Sequence, residues 1–202
     1  MHFKTLLASL LLVAGAQAQS WNFDASHSDV AFAIKHLAVS TVHGGFDKVD
    51  GKLTGDPTKP TSLAAEVTIQ VASVNTKSEK RDEHLRSPDF FDAAKFATIT
   101  FKSEKVEVRA GKNVLLGTLT MHGVSKKVEI PFDLSGPVVD PWKNNRIGLE
   151  GAFTLNRQDY GVAGGAPVVG DEVKIEISAE FTQAVAAPPA VVAPAAAPAK
   201  KK

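Results

Sequence analysis

Apolar and polar residues alternate along residues 171–181 with a period of two. Val173, Ile175, Ile177, Ala179 and Phe181 fall on one side, and Glu172, Lys174, Glu176, Ser178 and Glu180 on the other. A strand turns successive side chains to opposite faces, so the segment predicts a strand with one dry and one wet face. The same beat recurs along most of the chain. Residues 21–24 predict a short first strand, and Val30, Phe32 and Ile34 mark a second. Residues 44–55 carry Phe46, Val49 and Leu53 among glycines, which predicts a bent or bulged strand. Leu63, Ala65, Val67, Ile69 and Val71 mark the next, and Ile99 and Phe101 begin another that runs to about Arg109. After a hairpin turn at residues 110–113 come Leu115, Leu119 and Met121, then Val128, Ile130, Phe132 and Leu134, then Ile147, Leu149, Gly151, Phe153 and Leu155. Residues 56–60 (DPTKP) read as a turn and residues 136–145 (GPVVDPWKNN) as a loop.

One stretch breaks the beat. Residues 79–87 (EKRDEHLRS) read as a helix ended by Pro88, and residues 88–92 (PDFFD) as a further helical turn. The pattern predicts an all-β fold: a single antiparallel sheet of eight or nine strands curled around an interior, with a short helical insertion around residues 79–92. An eight-stranded closed sheet is the size at which the interior either just fills or holds one small ligand. The inward face would carry Phe32, Ile34, Val67, Ile69, Ile99, Phe101, Leu119, Ile130, Phe132, Phe153, Val173, Ile175 and Ile177. Alternation reports burial and not hollowness. A packed core and a dry slot for an acyl or isoprenoid chain both fit it.

The two ends read differently. Lys4, the apolar run 6–14 and Ala16-Gln17-Ala18 form a secretory signal peptide, residues 1–18, with cleavage after Ala18. Residues 184–202 are Ala, Pro and Val followed by Lys200, Lys201 and Lys202, an Ala/Pro-rich tail expected to be disordered. Residues 19–183 make one domain. The whole chain is +1, but four of its cations lie in the two ends, leaving the domain with 19 cations against 22 acids, a net −3. That balance argues against a nucleic-acid partner. The apolar run of the signal peptide is too short to span a bilayer, and no other stretch is long and apolar enough to be an integral membrane segment.

Candidate chemistry is sparse. With no cysteine in the chain, thiol nucleophiles, iron–sulfur clusters and disulfides are excluded. His27, His36, His43, His84 and His122 are scattered and form no zinc motif, so no metal is expected. There is no GxSxG and no phosphate-binding glycine loop. Among polar neighbours, His27 and His84 suit either local hydrogen bonds or contact with a ligand head group. An enzyme acting on an isoprenoid pyrophosphate would need clustered acids or a metal. Asp82, His84, Asp89 and Asp159 are present, but at no compelling spacing.

Taken in order, several segments resemble the YceI-like family of exported polyisoprenoid-binding proteins. They are DASHSDVAFAIKH (24–36), GGFDKVDGKL (44–53), SVNTKSEKRDEHLRSPDFFD (73–92), ATITFKS (97–103), GTLTMHGVSKKV (117–128) and NRQDYGV (156–162). Ala97 and Tyr160 depart mildly from the family's Pro and Phe. The resemblance implies a lipocalin-like barrel holding a long isoprenoid (a polyprenyl or isoprenoid-quinone chain) in its lumen. It implies no catalysis and no cofactor besides the lipid ligand. It also implies a periplasmic location, frequent homodimers and at most transient membrane contact. The lumen positions named above match the family's chain-contacting pattern and favour a cavity. His27, Arg81, Asp82, His84, Arg157 and Tyr160 would meet the head group or close a barrel end. The competing reading is a fatty-acid or fatty-amide binder, or a stress-linked barrel with no fixed ligand.

Overall fold

The chain enters the sheet as β1 (Ser20–Phe23), turns through a 3-10 helix (Ala25–His27) and continues as β2 (Asp29–His36). This is a computed structural model, and it describes residues 19–184. The signal peptide expected over residues 1–18 and the tail from residue 185 lie outside the described residues. β3 (Ser40–Phe46), β4 (Val49–Thr54), β5 (Ala64–Gln70) and the short β6 (Val74–Asn75) follow, then α1 (Glu79–Arg86). Long strands complete the sheet: β7 (Thr98–Arg109), β8 (Lys112–Met121), β9 (Val124–Val139), β10 (Asn144–Asn156) and β11 (Val169–Ala184).

Eight of these close into an antiparallel barrel in the order β1-β4-β5-β7-β8-β9-β10-β11, with β11 returning to β1. Asn22 faces Thr182 and Phe23 faces Phe181 at the closure. β11 is long enough to serve two partners. Its C-terminal end pairs with β1, and its N-terminal half pairs with β2, which carries β3 and then β6. The barrel is therefore a ring at one end, and at the other a wall that stops at β6. There α1 packs against β6. The Arg86 guanidinium fastens it by donating to the carbonyls of Ala72 and Val74.

Three expectations are corrected. Residues 44–55 form two strands. Ser73 explains the break, because its carbonyl accepts from Asp47 N–H and its hydroxyl from Lys48 N–H, diverting the chain between ladders. Residues 136–145 are mostly strand: β9 runs to Val139 and β10 starts at Asn144, because the Asp140 carboxylate accepts from the N–H groups of Trp142 and Asn144 and tightens the turn. Residues 88–92 are turns and not helix, since Phe91 N–H reaches Leu85 O and Asp92 N–H reaches Ser87 O.

Burial of the inward residues changes along the barrel. On β10, Ile147 and Leu149 are buried, whereas Phe153 and Leu155 are only half-buried. On β11, Phe181 and Ala179 are buried, whereas Ile177, Ile175 and Val173 are half-buried. The buried end is sealed by Trp21, Leu53 and Ile147, each 1% exposed, and Trp21 Nε1 donates to Gly55 O. The same alternation thus builds a packed core at one end and a hollow at the other.

Candidate functional site

The hollow end is a cavity of ≈ 470 Å³, within the range of small-molecule pockets. Every inward residue expected from the alternation, from Phe32 on β2 to Ile177 on β11, lines it. Those on β5, β7, β8 and β9 are mostly buried, whereas those on β2, β10 and β11 are half-buried: they are shielded from bulk water but lack a packing partner across the lumen. Phe32, Phe46 and Phe91 form an aromatic run along one wall, with ring centroids 5.9 and 6.0 Å apart. Backbone space on the lumen side is ceded to two rings. A Cβ at Gly44 would stand 2.5 Å from Phe32 Cζ, and one at Gly117 would stand 2.6 Å from Phe101 Cζ.

The charged lining is of one sign. Lys35, Arg81 and Arg157 line the cavity together with His36, His84 and Thr76, and among the described residues no aspartate or glutamate does. Thr76 and Arg81 form a small relay. The Thr76 hydroxyl donates to the buried Asp82 carboxylate (2.5 Å) and accepts from Arg81 Nε (2.7 Å), while Arg81 Nη2 donates to Thr76 O. Asp82 also accepts from Thr76 N–H. It braces the rim from behind and does not face the lumen. His84 sits edge-on to Phe90 and its Nε2 is 2.9 Å from Asp89 Oδ2.

Arg157 is 4% exposed and is spent on structure. Its guanidinium donates to the carbonyls of Val162, Gly164, Val169 and Gly170, pinning residues 162–170 over the mouth. Burial pulls its pKa below that of a free guanidinium. Tyr160 is buried beside it, but outside the cavity lining, and burial raises its phenol pKa. Its carbonyl lies 3.2 Å from His122 Nδ1.

His27 does not reach the cavity. It sits on the exposed turn between β1 and β2, where its Nδ1 is 3.0 Å from Asp24 Oδ2. Asp24, His27 and Glu180 are a trio of metal-ligand type among the described residues. Arg146 already contacts both carboxylates there, and its Nε also donates to Asp140. The Asp24 carboxyl is held well below the usual carboxylate range by the Ser26 hydroxyl first, then by His27 and Arg146. The trio is an ion-pair network that fastens β1 to the closing strands.

Of the expected end-group residues, the structure therefore brings Arg81, His84 and Arg157 to the cavity and leaves His27, Asp82 and Tyr160 away from it. Lys35, Val42, Phe90 and Phe91 line it and were not singled out from the sequence, and His36, weighed there only as a metal ligand, lines it too. Phe90 and Phe91 lie in turns with no period to flag them. Lys35 and His36 end a strand whose pattern marked only its apolar side. The arrangement can hold an apolar chain and meet a head group with cations. The lining supplies no carboxylate or nucleophile–base pair.

The family described as the YceI-like domain matches residues 21–181. A UPF0312 protein of Pseudomonas aeruginosa is 38% identical over 177 residues, covering 86% of this chain and 93% of that protein. The crystal structure of Burkholderia cenocepacia BcnA superposes with a TM-score of 0.71 at 25% identity, covering 79% of this chain and 99% of that one. A structure described as a polyisoprenoid binding domain from Saccharophagus degradans shares the fold with a TM-score of 0.64 at 17% identity, covering 80% of this chain and 97% of that one.

Proposed function

The chain belongs to the YceI-like family, and on that premise we propose that it is a non-catalytic carrier that holds one long isoprenoid lipid in the hollow half of its barrel. One observation carries the reading: the inward face is packed at one end and opens at the other into an apolar cavity with a rim of cations and no acid. Each methylene-sized group moved from water into that space contributes about 0.8 kcal/mol, which offsets the cost of ordering a flexible chain. The Saccharophagus degradans neighbour, described as polyisoprenoid binding, supports the same ligand class. No cofactor is required, because no bond is made or broken. The apolar leader of residues 1–18 supports export, so the proposed place of work is the periplasm, where a prenyl chain needs shielding from water.

A second reading draws on the rim. The Lys35 and Arg81 side chains on the lining also suit a carboxylate head, so a fatty acid or fatty amide is the alternative cargo. The test is native mass spectrometry of protein purified without detergent, followed by organic extraction. A near-unit prenyl adduct supports the carrier reading, and a fatty-acid adduct supports the alternative. Protein that stays bare after incubation with both lipid classes refutes lipid binding.

A further inference from the structure

The cavity mouth is flanked by two chain segments with no formal charge. Residues 36–46 and residues 160–170 contain no Asp, Glu, Lys or Arg. The tertiary structure joins them: Leu37 N–H donates to Val168 O at 2.8 Å. Within them His36, Gly165 and Val169 line the cavity, as does the adjacent Lys35, so both tips stand at its edge. At those tips Leu37 is 57%, Val39 83% and Val168 41% exposed.

Two features show that this exposure is built in. The β2–β3 turn places Leu37 and Ala38 in the left-handed region, at φ 52° and 59°. A turn of that shape favours Asn and Gly, yet an apolar pair stands there. The second segment is anchored by Arg157 through backbone carbonyls, and within it Val162 is buried while Val168 faces outward.

We propose that these two tips are the surface by which the protein docks on a lipid bilayer, so that a chain passes between membrane and cavity without crossing water. The inference rests on the lipid-carrier reading. Three observations select a bilayer as the occupant. The apolar tips directly adjoin lining residues, Leu37 next to His36 and Val168 next to Val169, so they stand beside the cavity edge. Their lack of charge removes the cost of desolvating ions on insertion. Lys35, exposed at the edge, has the sign that suits anionic head groups.

The test uses vesicles of phosphatidylethanolamine and phosphatidylglycerol and a fluorescent prenyl alcohol as probe. Three quantities are read: flotation with vesicles, equilibrium binding of probe added from solution, and the rate of probe transfer out of donor vesicles. Leu37→Asp combined with Val39→Asp is expected to abolish flotation and slow transfer roughly tenfold or more, with equilibrium binding unchanged. A second variant, Leu37→Asn with Ala38→Gly and Val39→Thr, gives the turn the residues it favours. It should lose docking with no loss of thermal stability, so unfolding cannot explain the result. Trp142→Ser alters the exposed apolar tip at the opposite end and should float like the wild type.

Wild-type protein that binds the probe but ignores vesicles overturns the docking surface alone, as do tip variants that transfer at the wild-type rate. A tip variant that turns a dimer into a monomer without changing flotation assigns the patch to a second copy and also overturns it. Wild-type protein that binds no probe overturns the carrier reading itself.

Discussion

Phe32 and Gly44 face each other across β2 and β3, and the Phe32 ring occupies the space a side chain at position 44 would need. A Cβ there would also stand 2.8 Å from Thr76 Cγ2. The Phe32 ring abuts Phe46, so a push at position 44 has an outlet only into the lumen. Gly44→Ala is expected to displace Phe32 inward, shrink the cavity and weaken lipid binding, at a stability cost of about 1–3 kcal/mol. Titration with a prenyl probe beside a thermal melt checks this. Unchanged affinity would mean that Phe32 yields away from the cavity.

The packed and hollow ends should respond differently to the same truncation. Ile147→Ala, at a residue 1% exposed, is expected to cost about 2–5 kcal/mol in denaturant unfolding. Ile175→Ala, on the half-buried lumen wall, should cost about 1 kcal/mol, because its side chain already faces open space. Equal losses would show that the lumen is filled in solution.

Arg157 holds residues 162–170 through carbonyls, so its removal leaves several buried acceptors without a donor. Arg157→Met is expected to cost about 3 kcal/mol and to speed amide exchange across residues 162–170. Arg157→Lys should restore little, since one ammonium cannot span acceptors that a planar guanidinium fork reaches. Full rescue by Lys would mean that charge, and not geometry, is what the loop needs.

The Asp24 network makes stability depend on acid. Its folded carboxyl pKa is lowered, by the Ser26 hydroxyl above all, so the native state binds fewer protons than the unfolded chain. The stabilisation is complete above the unfolded value near 4 and is lost as pH falls through and below it. The melting temperature should hold between about pH 6 and 8 and drop below about pH 5. Asp24→Asn should melt lower at neutral pH and show a shallower acid decline. An unchanged decline would place the acid-sensitive carboxylate elsewhere.

Most of the sheet was legible because its strands bury one face against a wet one. β11 and β5 each carry an unbroken inward series, and β10 one long enough to tolerate Gly151. β3 was not legible as a separate strand, and Gly44 is the reason: its inward position is filled by the ring of Phe32, so the apolar series has a gap. The lumen wall was readable on the same ground as the strands. The rim was only half readable. Arg81 and His84 lie one helical turn apart on α1 and both reach the cavity, whereas His27 has the same residue type in polar company and faces solvent. Side-chain type does not record which loop lies over the mouth.

The period of two depends on local backbone geometry alone. The sequence by itself therefore determined the strands and their dry face. Whether that face encloses a core or a cavity depends on how far apart opposing walls stand. That distance is set by contacts between residues remote in the chain: the closure of Asn22 on Thr182, the seal of Trp21 at one end, and Arg86 and Arg157 fastening α1 and residues 162–170 at the other. Only the tertiary structure decided that the barrel is packed at one end and hollow at the other, because inward-facing residues alternate in the same way whether or not a partner meets them across the lumen.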